Sequence, residues 1–232
     1  RTGDFVTIDG IQKCGYVNSL CMDKDSVLWL ASRNGLFTYK NNHISKIYPY
    51  EEAKGKNNKN SCRSVLIDND TIWAGFAHLG IVKILKQGGK YNVVMAPVKT
   101  LNFSDISVMQ KDSYGHLLVG TWGGGINRLK GDSTEYLTED EGLSDNIIFS
   151  IYEDMKRKLW ISTYNGLSCY DPVTKHVENY KMRDGLPSNE FSVGAHCFFN
   201  HDEIFLGTIN GVTSFHPSDI DSFRSDYKIV LS

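Results

Sequence analysis

Short apolar runs alternate with polar turns along most of this sequence. Residues 28–36 read Leu-Trp-Leu-Ala-Ser-Arg-Asn-Gly-Leu, and residues 159–167 read Leu-Trp-Ile-Ser-Thr-Tyr-Asn-Gly-Leu. Apolar runs of this length, bounded by Asp, Asn and Gly, are typical of β-strands joined by tight turns. No stretch has the 3.6-residue period of an amphipathic helix, so the pattern predicts an all-β protein.

The strand pattern recurs as a unit. Five copies close on a glycine, and successive closing glycines lie 45, 45, 41 and 45 residues apart. These glycines are Gly35, Gly80, Gly125, Gly166 and Gly211. A period in this range is typical of β-propeller blades. Solenoids are the alternative architecture, but parallel β-solenoids use much shorter repeats and helical solenoids need a helical period.

Each unit is predicted to hold four antiparallel strands, the arrangement of a propeller blade. The first strand is apolar, as in Val17–Met22 and residues 147–152. A turn led by Asp follows, then the strand of the Leu-Trp-Ile-Ser type, and then a third strand near the closing glycine. The fourth strand is more polar, as in His43–Tyr48 and Val177–Tyr180.

The two ends of the chain are out of phase with this unit. Residues 5–8 look like a fourth strand without partners in their own unit, and the last unit stops at a third strand, residues 212–215. Two arrangements fit this phase: the first segment completes the last blade of a five-bladed ring, or the five units form part of a larger ring. We assign residues 1–216 to blades and residues 217–232 to an exit linker, in which residues 228–231 are a candidate first strand of a further domain.

The composition excludes some classes of function. The 25 Lys and Arg residues nearly balance the 27 Asp and Glu residues, so no strong field attracts nucleic acid or an anionic membrane. No apolar run approaches the roughly 20 residues that a membrane-spanning helix needs. We therefore expect this segment to contact no nucleic acid.

The five cysteines are irregularly spaced and odd in number, with no Cys-x-x-Cys pair. This pattern argues against a disulfide framework and against a structural zinc site. Cys21, Cys169 and Cys197 lie within apolar runs and are expected to be small buried side chains. Taken alone, the cysteines favour a reducing compartment.

Several motifs resemble the two-component regulator propeller repeat. The clearest lie in the fourth unit, where residues 142–147 read Gly-Leu-Ser-Asp-Asn-Ile and precede Leu-Trp-Ile-Ser-Thr at 159–163 and Asn-Gly-Leu at 165–167. Residues 184–191 repeat the first motif as Asp-Gly-Leu-Pro-Ser-Asn-Glu-Phe. The resemblance covers nearly the whole chain and is weakest in the second unit. The family occurs in the sensor regions of hybrid two-component systems from polysaccharide-degrading gut bacteria.

The resemblance implies a place in a larger protein. Residues 215–220, Phe-His-Pro-Ser-Asp-Ile, resemble the exit from the family's last blade, after which an immunoglobulin-like domain, a membrane span and a histidine kinase follow. It therefore implies the C-terminal part of a seven-bladed ring, in preference to a complete five-bladed one. The implied partners are upstream blades, that downstream domain and a second copy in a homodimer. The implied compartment is the periplasm, where buried thiols can persist despite the oxidising environment.

Strand geometry predicts which loops share a face. In an antiparallel blade, the loop between the second and third strands emerges beside the segment that leads from one blade to the next. Amide, guanidinium and aromatic groups on such loops suit an oligosaccharide, because amides and Arg bind hydroxyl or acidic groups while aromatic rings stack on sugars. The candidate ligand-binding residues are Arg33, His78, Trp122, Tyr164, Asn165, Asn189, Glu190 and Asn210.

Structural roles compete with some of these assignments. Asn34, Asn165 and Asn210 each precede a closing glycine, where a tight turn favours Asn. The recurring Trp29, Trp73 and Trp160 are expected to pack between blades. The Asp residue that opens each first turn recurs in every unit, which favours a turn-capping role over catalysis.

No catalytic residue, metal site or cofactor is predicted. The sequence favours a non-catalytic sensor of an oligosaccharide. The alternatives are a propeller-fold glycoside hydrolase or lyase, for which Glu190 beside Tyr164 is the first place to look, and a protein-interaction scaffold.

Overall fold

The computed structural model describes residues 7–48, 61–88, 90–95, 101–199 and 203–223. This part of the chain forms nineteen strands in five antiparallel sheets, three single 3-10 turns and one short α-helix. The protein is therefore all-β, and its sheets are β-propeller blades, as the repeat predicts. No helix in the described ranges is long and apolar enough to cross a membrane.

The strands pair in sequence order within each blade. Blade 1 comprises β1 Val17–Met22, β2 Leu28–Ser32, β3 Gly35–Lys40 and β4 His43–Tyr48. Blade 2 comprises β5 Cys62–Asp68, β6 Thr71–Phe76, β7 Gly80–Gln87 and β8 Lys90–Met95. Blade 3 comprises β9 Ile106–Lys111, β10 Leu117–Thr121, β11 Ile126–Lys130 and β12 Ser133–Leu137.

Blade 4 comprises β13 Ile148–Glu153, β14 Leu159–Thr163, β15 Gly166–Tyr170 and β16 Val177–Tyr180. Blade 5 has three described strands, β17 Phe191–Phe199, β18 Glu203–Thr208 and β19 Gly211–Phe215. The chain divides into two compact units, Arg1–Met109 and Gln110–Ser232. From here on, the first unit and the second unit mean these two parts of the chain, and each repeat of the sequence is called a blade.

The Asp-led turns are held by their own carboxylates. In blade 4, Asp154 Oδ1 accepts hydrogen bonds from the backbone N–H groups of Lys156 and Lys158. Its Oδ2 accepts a 2.9 Å bond from the indole nitrogen of Trp160. Asp23 of blade 1 makes the same set of contacts with its own turn and with Trp29. The capping role predicted for these residues is confirmed in both blades.

Two of the recurring tryptophans lie in the core, as predicted. Trp29 is fully buried, and its ring meets the edge of Tyr91 from blade 2 at 4.9 Å. Trp160 is buried between Tyr180 at 5.8 Å and Phe215 at 4.9 Å. Each tryptophan thus joins a blade to the next one in sequence within the same unit.

The prediction of burial is wrong for Trp73 and for two cysteines. Trp73 is half-buried, and the ammonium group of Lys83 lies over its ring, 5.3 Å from the centroid. Cys197 is exposed and Cys21 is half-buried, whereas Cys169 is buried. Cys21 and Cys197 lie on strands in which burial alternates along the chain. An apolar sequence therefore does not imply that both faces of a strand are buried. All five cysteines are free.

The segment predicted as an exit linker begins with a helix, α1 Pro217–Phe223, which the sequence pattern does not predict. Seven residues are too few to display a helical period, although proline is favoured at a first helical position. Ile220 of this helix packs against the apolar cluster that contains Trp160. Residues 5, 6, 54–59 and 228–231 lie outside the described residues, and Thr7 and Ile8 form no strand.

The closing glycines have positive φ angles that other residues rarely adopt, so replacing one should destabilise the protein. Gly166 has φ +123°, and an added Cβ would lie 2.8 Å from the carbonyl oxygen of Tyr180. Gly166→Ala should therefore lower the free energy of unfolding by about 2 kcal/mol, through backbone strain and this clash together. Gly211→Ala is the matched control, since Gly211 has φ +132° but nothing within 4 Å of its Cβ position. We expect it to cost about 1 kcal/mol in urea unfolding, and equal losses would contradict the role of the clash.

Candidate functional site

The second-to-third loops and the inter-blade segments lie together, as the strand geometry predicts. In the second unit, the N–H groups of Gly123 and Gly125 both bond the carbonyl oxygen of Asn146, at 3.2 and 2.9 Å. The N–H of Tyr164 bonds the carbonyl oxygen of Ile147 at 3.1 Å, and Trp122 forms a β-bridge with Ile147. Two loops are thus anchored on the same two-residue stretch.

This anchoring brings two candidate aromatic residues onto one buried ring. Phe149 is buried, and Trp122 meets it edge-on at a centroid distance of 5.6 Å. Tyr164 meets the same ring edge-on at 6.5 Å and is 48% exposed. We call Trp122 and Tyr164 the aromatic pair. Their rings are oriented by a rigid core residue rather than by the loops alone, a favourable basis for stacking on a ligand.

A threonine at the end of the second strand shapes the loop that carries Tyr164. Thr163 Oγ1 donates to the carbonyl oxygen of Gly166 and accepts from the backbone N–H of Asn165. Thr208 makes the same two contacts with Gly211 and Asn210 in blade 5. The tight turn predicted for Asn165 and Asn210 is present, but its left-handed backbone falls on the following glycine.

The candidate side chains around this loop differ in their freedom to bind. Asn165 is exposed, and its Oδ1 lies 3.4 Å from Lys181 Nζ. Asn189 is committed to the backbone, since its Oδ1 accepts a 2.8 Å bond from the N–H of Met182. Glu190 and Asn210 flank the next loop, where the carbonyl oxygen of Glu190 accepts from the N–H of Ile209.

The inter-blade segment before blade 4 is acidic. Its 3-10 turn, Glu139–Glu141, has a capping box in which Thr138 and Glu141 bond each other reciprocally. Glu139 and Asn146 are also joined twice, Glu139 N–H to Asn146 Oδ1 at 2.9 Å and Asn146 Nδ2 to Glu139 Oε2 at 2.7 Å. Asp145 accepts a 2.7 Å bond from the N–H of Ile147. The stretch that anchors the aromatic loops therefore also carries two fixed carboxylates.

The other two candidates, Arg33 and His78, lie in the first unit. Arg33 has an exposed side chain, and its N–H bonds the carbonyl oxygen of Tyr16 at 2.8 Å. His78 is also exposed, has φ +61° and lies 3.6 Å from Asp105. Asp105 also pairs with Arg63 at 3.2 Å.

Sequence reasoning missed residues that support the site. Phe149 reads as an ordinary core residue of a first strand, and no local pattern indicates that it carries two loop rings. Asn146 and Asn189 occupy the same position of the repeated Gly-Leu-x-x-Asn motif, and the repetition signals a shared structural role. Both side chains bond the first residue of the preceding 3-10 turn.

The described residues contain no group of three or more His, Cys, Asp and Glu side chains that could hold a metal ion.

The family profile of the two component regulator propeller matches residues 142–165. The predicted resemblance to this repeat is confirmed in that segment. The matched segment begins within the acidic inter-blade segment and runs through β13 and β14 to the loop of Tyr164. It therefore includes the stretch that anchors the two aromatic loops.

The chain is also similar to known proteins over most of its length. It is 28% identical over 222 residues to histidine kinase P4 of Formosa agariphila, covering 90% of this chain and 16% of that protein. Two solved extracellular domains of hybrid two-component systems from B. thetaiotaomicron share its fold. Their TM-scores are both 0.73, with 24% and 21% identity and coverage of 90% and 93% of this chain. The chain spans 29% and 28% of those two domains.

Proposed function

We propose that this chain is an extracytoplasmic sensor segment of a two-component histidine kinase, and that its aromatic pair binds an oligosaccharide. The observation that carries the binding proposal is the convergence of Trp122 and Tyr164 on Phe149. Two aromatic groups held on a rigid scaffold offer flat apolar surfaces to the faces of sugar rings. Asn165, which follows Tyr164, supplies an exposed amide for sugar hydroxyl groups.

The similarity to a histidine kinase supports the signalling part of the proposal, and the extracellular domains that share the fold support an extracytoplasmic location. On this proposal the segment works in the periplasm, with further blades upstream, an immunoglobulin-like domain downstream and a second copy in a homodimer. Ligand binding can shift such a receptor only if the ligand binds one of its two states more tightly.

Removal of either ring should weaken binding. Trp122→Ala and Tyr164→Ala should each reduce the affinity for the recognised oligosaccharide by about tenfold or more, because stacking surface is lost. Isothermal titration of the purified chain against a panel of glycans measures this effect. Tyr114→Ala is the control, since Tyr114 is a comparably exposed tyrosine of the same unit on the β9–β10 hairpin turn.

Two results would oppose the proposal. If Tyr114→Ala weakened binding as much as Tyr164→Ala, the ligand would not lie on the aromatic pair. If the intact receptor bound no glycan of the panel and gave no change in autophosphorylation with any of them, oligosaccharide sensing would be wrong.

A further inference from the structure

We propose that the ligand of the aromatic pair is a neutral oligosaccharide, and that sugars bearing carboxylate or sulfate groups bind more weakly. This inference rests on the proposed function and specifies its substrate class. It is argued from the fixed charges around the stretch that anchors Trp122 and Tyr164.

Two carboxylates are attached directly to the anchoring stretch. Asp145 accepts the N–H of Ile147 at 2.7 Å, and Ile147 is the residue that both aromatic loops contact. Glu139 accepts from Asn146 Nδ2 at 2.7 Å, and the carbonyl oxygen of Asn146 holds the loop of Trp122. Each carboxylate is therefore held on the stretch that anchors the aromatic pair by its own hydrogen bond.

The surrounding segment strengthens this negative field. Asp140 and Glu141 complete the acidic turn, and residues 138–147 include no Lys or Arg. Among the residues that the structure describes, none of the four acidic side chains forms an ion pair. Their charge is therefore uncompensated within the segment.

A cation also lies beside the loop of Tyr164. Lys181 Nζ lies 3.4 Å from Asn165 Oδ1, next to Tyr164 in the chain. Arg183, the other base of that segment, lies 3.7 Å from Asp184. The four carboxylates of residues 138–147 outnumber the charge of Lys181, and from this balance we infer an electronegative site.

The expected discrimination follows from Coulomb energies. The carboxylates repel a sugar carboxylate that lies a few ångströms away, and Lys181 offsets part of this repulsion. The remaining repulsion should make an acidic sugar bind about tenfold more weakly than its neutral counterpart at low ionic strength. Salt screens exposed charges, so the difference should shrink at about 0.5 M NaCl.

Matched neutral and acidic glycans test the inference. The purified chain would be titrated with β-1,4-mannose and β-1,4-mannuronate hexamers, and with α-1,4-galactose and α-1,4-galacturonate hexamers. We expect the neutral member of a recognised pair to bind about tenfold more tightly at low salt. Glu139→Gln and Asp145→Asn keep the accepting oxygen but remove the charge, so each should raise the ratio of uronate affinity to neutral affinity about threefold.

Asp132→Asn is the control variant, because Asp132 lies in the β11–β12 turn of the same unit, outside the acidic segment. Uronate binding that equals or exceeds neutral binding would overturn the inference and leave the proposed function intact. An unchanged ratio of uronate affinity to neutral affinity in both charge variants would also overturn it. If the intact receptor binds no hexamer and no other glycan, the proposed function fails, and the inference fails with it.

Discussion

Trp160→Ala is expected to lower the free energy of unfolding of the second unit by about 3–5 kcal/mol, the usual cost of removing a large buried aromatic side chain. Trp160 is 2% exposed and packs between Tyr180 of its own blade and Phe215 of the next. Its indole N–H also satisfies the buried carboxylate of Asp154. The substitution thus opens a cavity, separates two blades and removes a hydrogen bond from a buried acceptor.

Trp73→Ala provides the matched control for this prediction. Each tryptophan pairs with the third residue after a closing glycine, Trp73 with Lys83 and Trp160 with Cys169. Trp73, however, is half-buried, with Lys83 over its ring. A partly exposed ring with one cation–π contact should cost about 1–2 kcal/mol when removed. Urea unfolding followed by circular dichroism measures both variants. Similar losses at the two positions would show that burial between blades is not what Trp160 contributes.

The contrast between the tryptophans illustrates what the sequence could predict. The repeat, the strand order and the Asp-led turns depend on local patterns, and these were predicted well. Burial depends on what the next strand contributes. Nothing in the Ile-Trp-Ala-Gly stretch of blade 2 indicates that Lys83 of β7 would cover the ring.

The candidate site was predictable in outline only. Antiparallel geometry is sufficient to place Trp122 and Tyr164 on loops that share a face, because alternate connections of a blade emerge together. The contact of both rings with Phe149 was not predictable, since it depends on side-chain directions from three elements. Asn189 was chosen as a ligand residue for its amide group, but that amide oxygen is already bonded to the N–H of Met182.

The turn residues show the same limit at a finer scale. A preference of Asn for tight turns is a real signal, and Asn165 and Asn210 do lie in turns. However, the hydroxyl groups of Thr163 and Thr208 supply the turn hydrogen bonds, and the glycines that follow the asparagines supply the left-handed backbone. Residue preference therefore located the turns without identifying the atoms that hold them.

Blade 3 leads to the second large prediction, because it lacks the tryptophan that satisfies the Asp-led turn in blades 1 and 4. Its Asp112 is 1% exposed at the side chain and accepts from Arg128 Nε at 2.8 Å and Nη2 at 2.5 Å. Asp112→Ala should cost about 3 kcal/mol, since it leaves a nearly buried guanidinium without its main partner. Arg128 keeps a weaker contact with Glu135 at 3.6 Å, which places the loss at the lower end of the range for such pairs.

The double variant Asp112→Ala with Arg128→Leu is the control for this loss. It removes the uncompensated charge and should recover part of the stability, because a buried pair can be replaced by apolar groups at little cost. A double variant less stable than Asp112→Ala would indicate that Arg128 stabilises blade 3 independently of Asp112. Urea unfolding of the three proteins at neutral pH gives the comparison.

The pH dependence of the same series tests the charge of Asp112 directly. Burial would raise the pKa of Asp112, but hydrogen bonds from the His116 N–H and the Arg128 guanidinium outweigh burial and hold this pKa below its ordinary value of 3.8. A carboxyl with a depressed pKa in the folded state contributes stability that is fully present above its unfolded pKa and is lost as pH falls through the folded value. The difference in unfolding free energy between the native protein and Asp112→Ala should therefore be constant above about pH 5 and shrink below pH 4.

Lys130 and Lys175 likewise outweigh burial and hold the pKa of Glu135 at about 2, so both proteins should share a further loss of stability between pH 4.5 and about 2. A difference between the two proteins that stays constant down to pH 2 would mean that packing, and not the ionised pair, accounts for the contribution of Asp112.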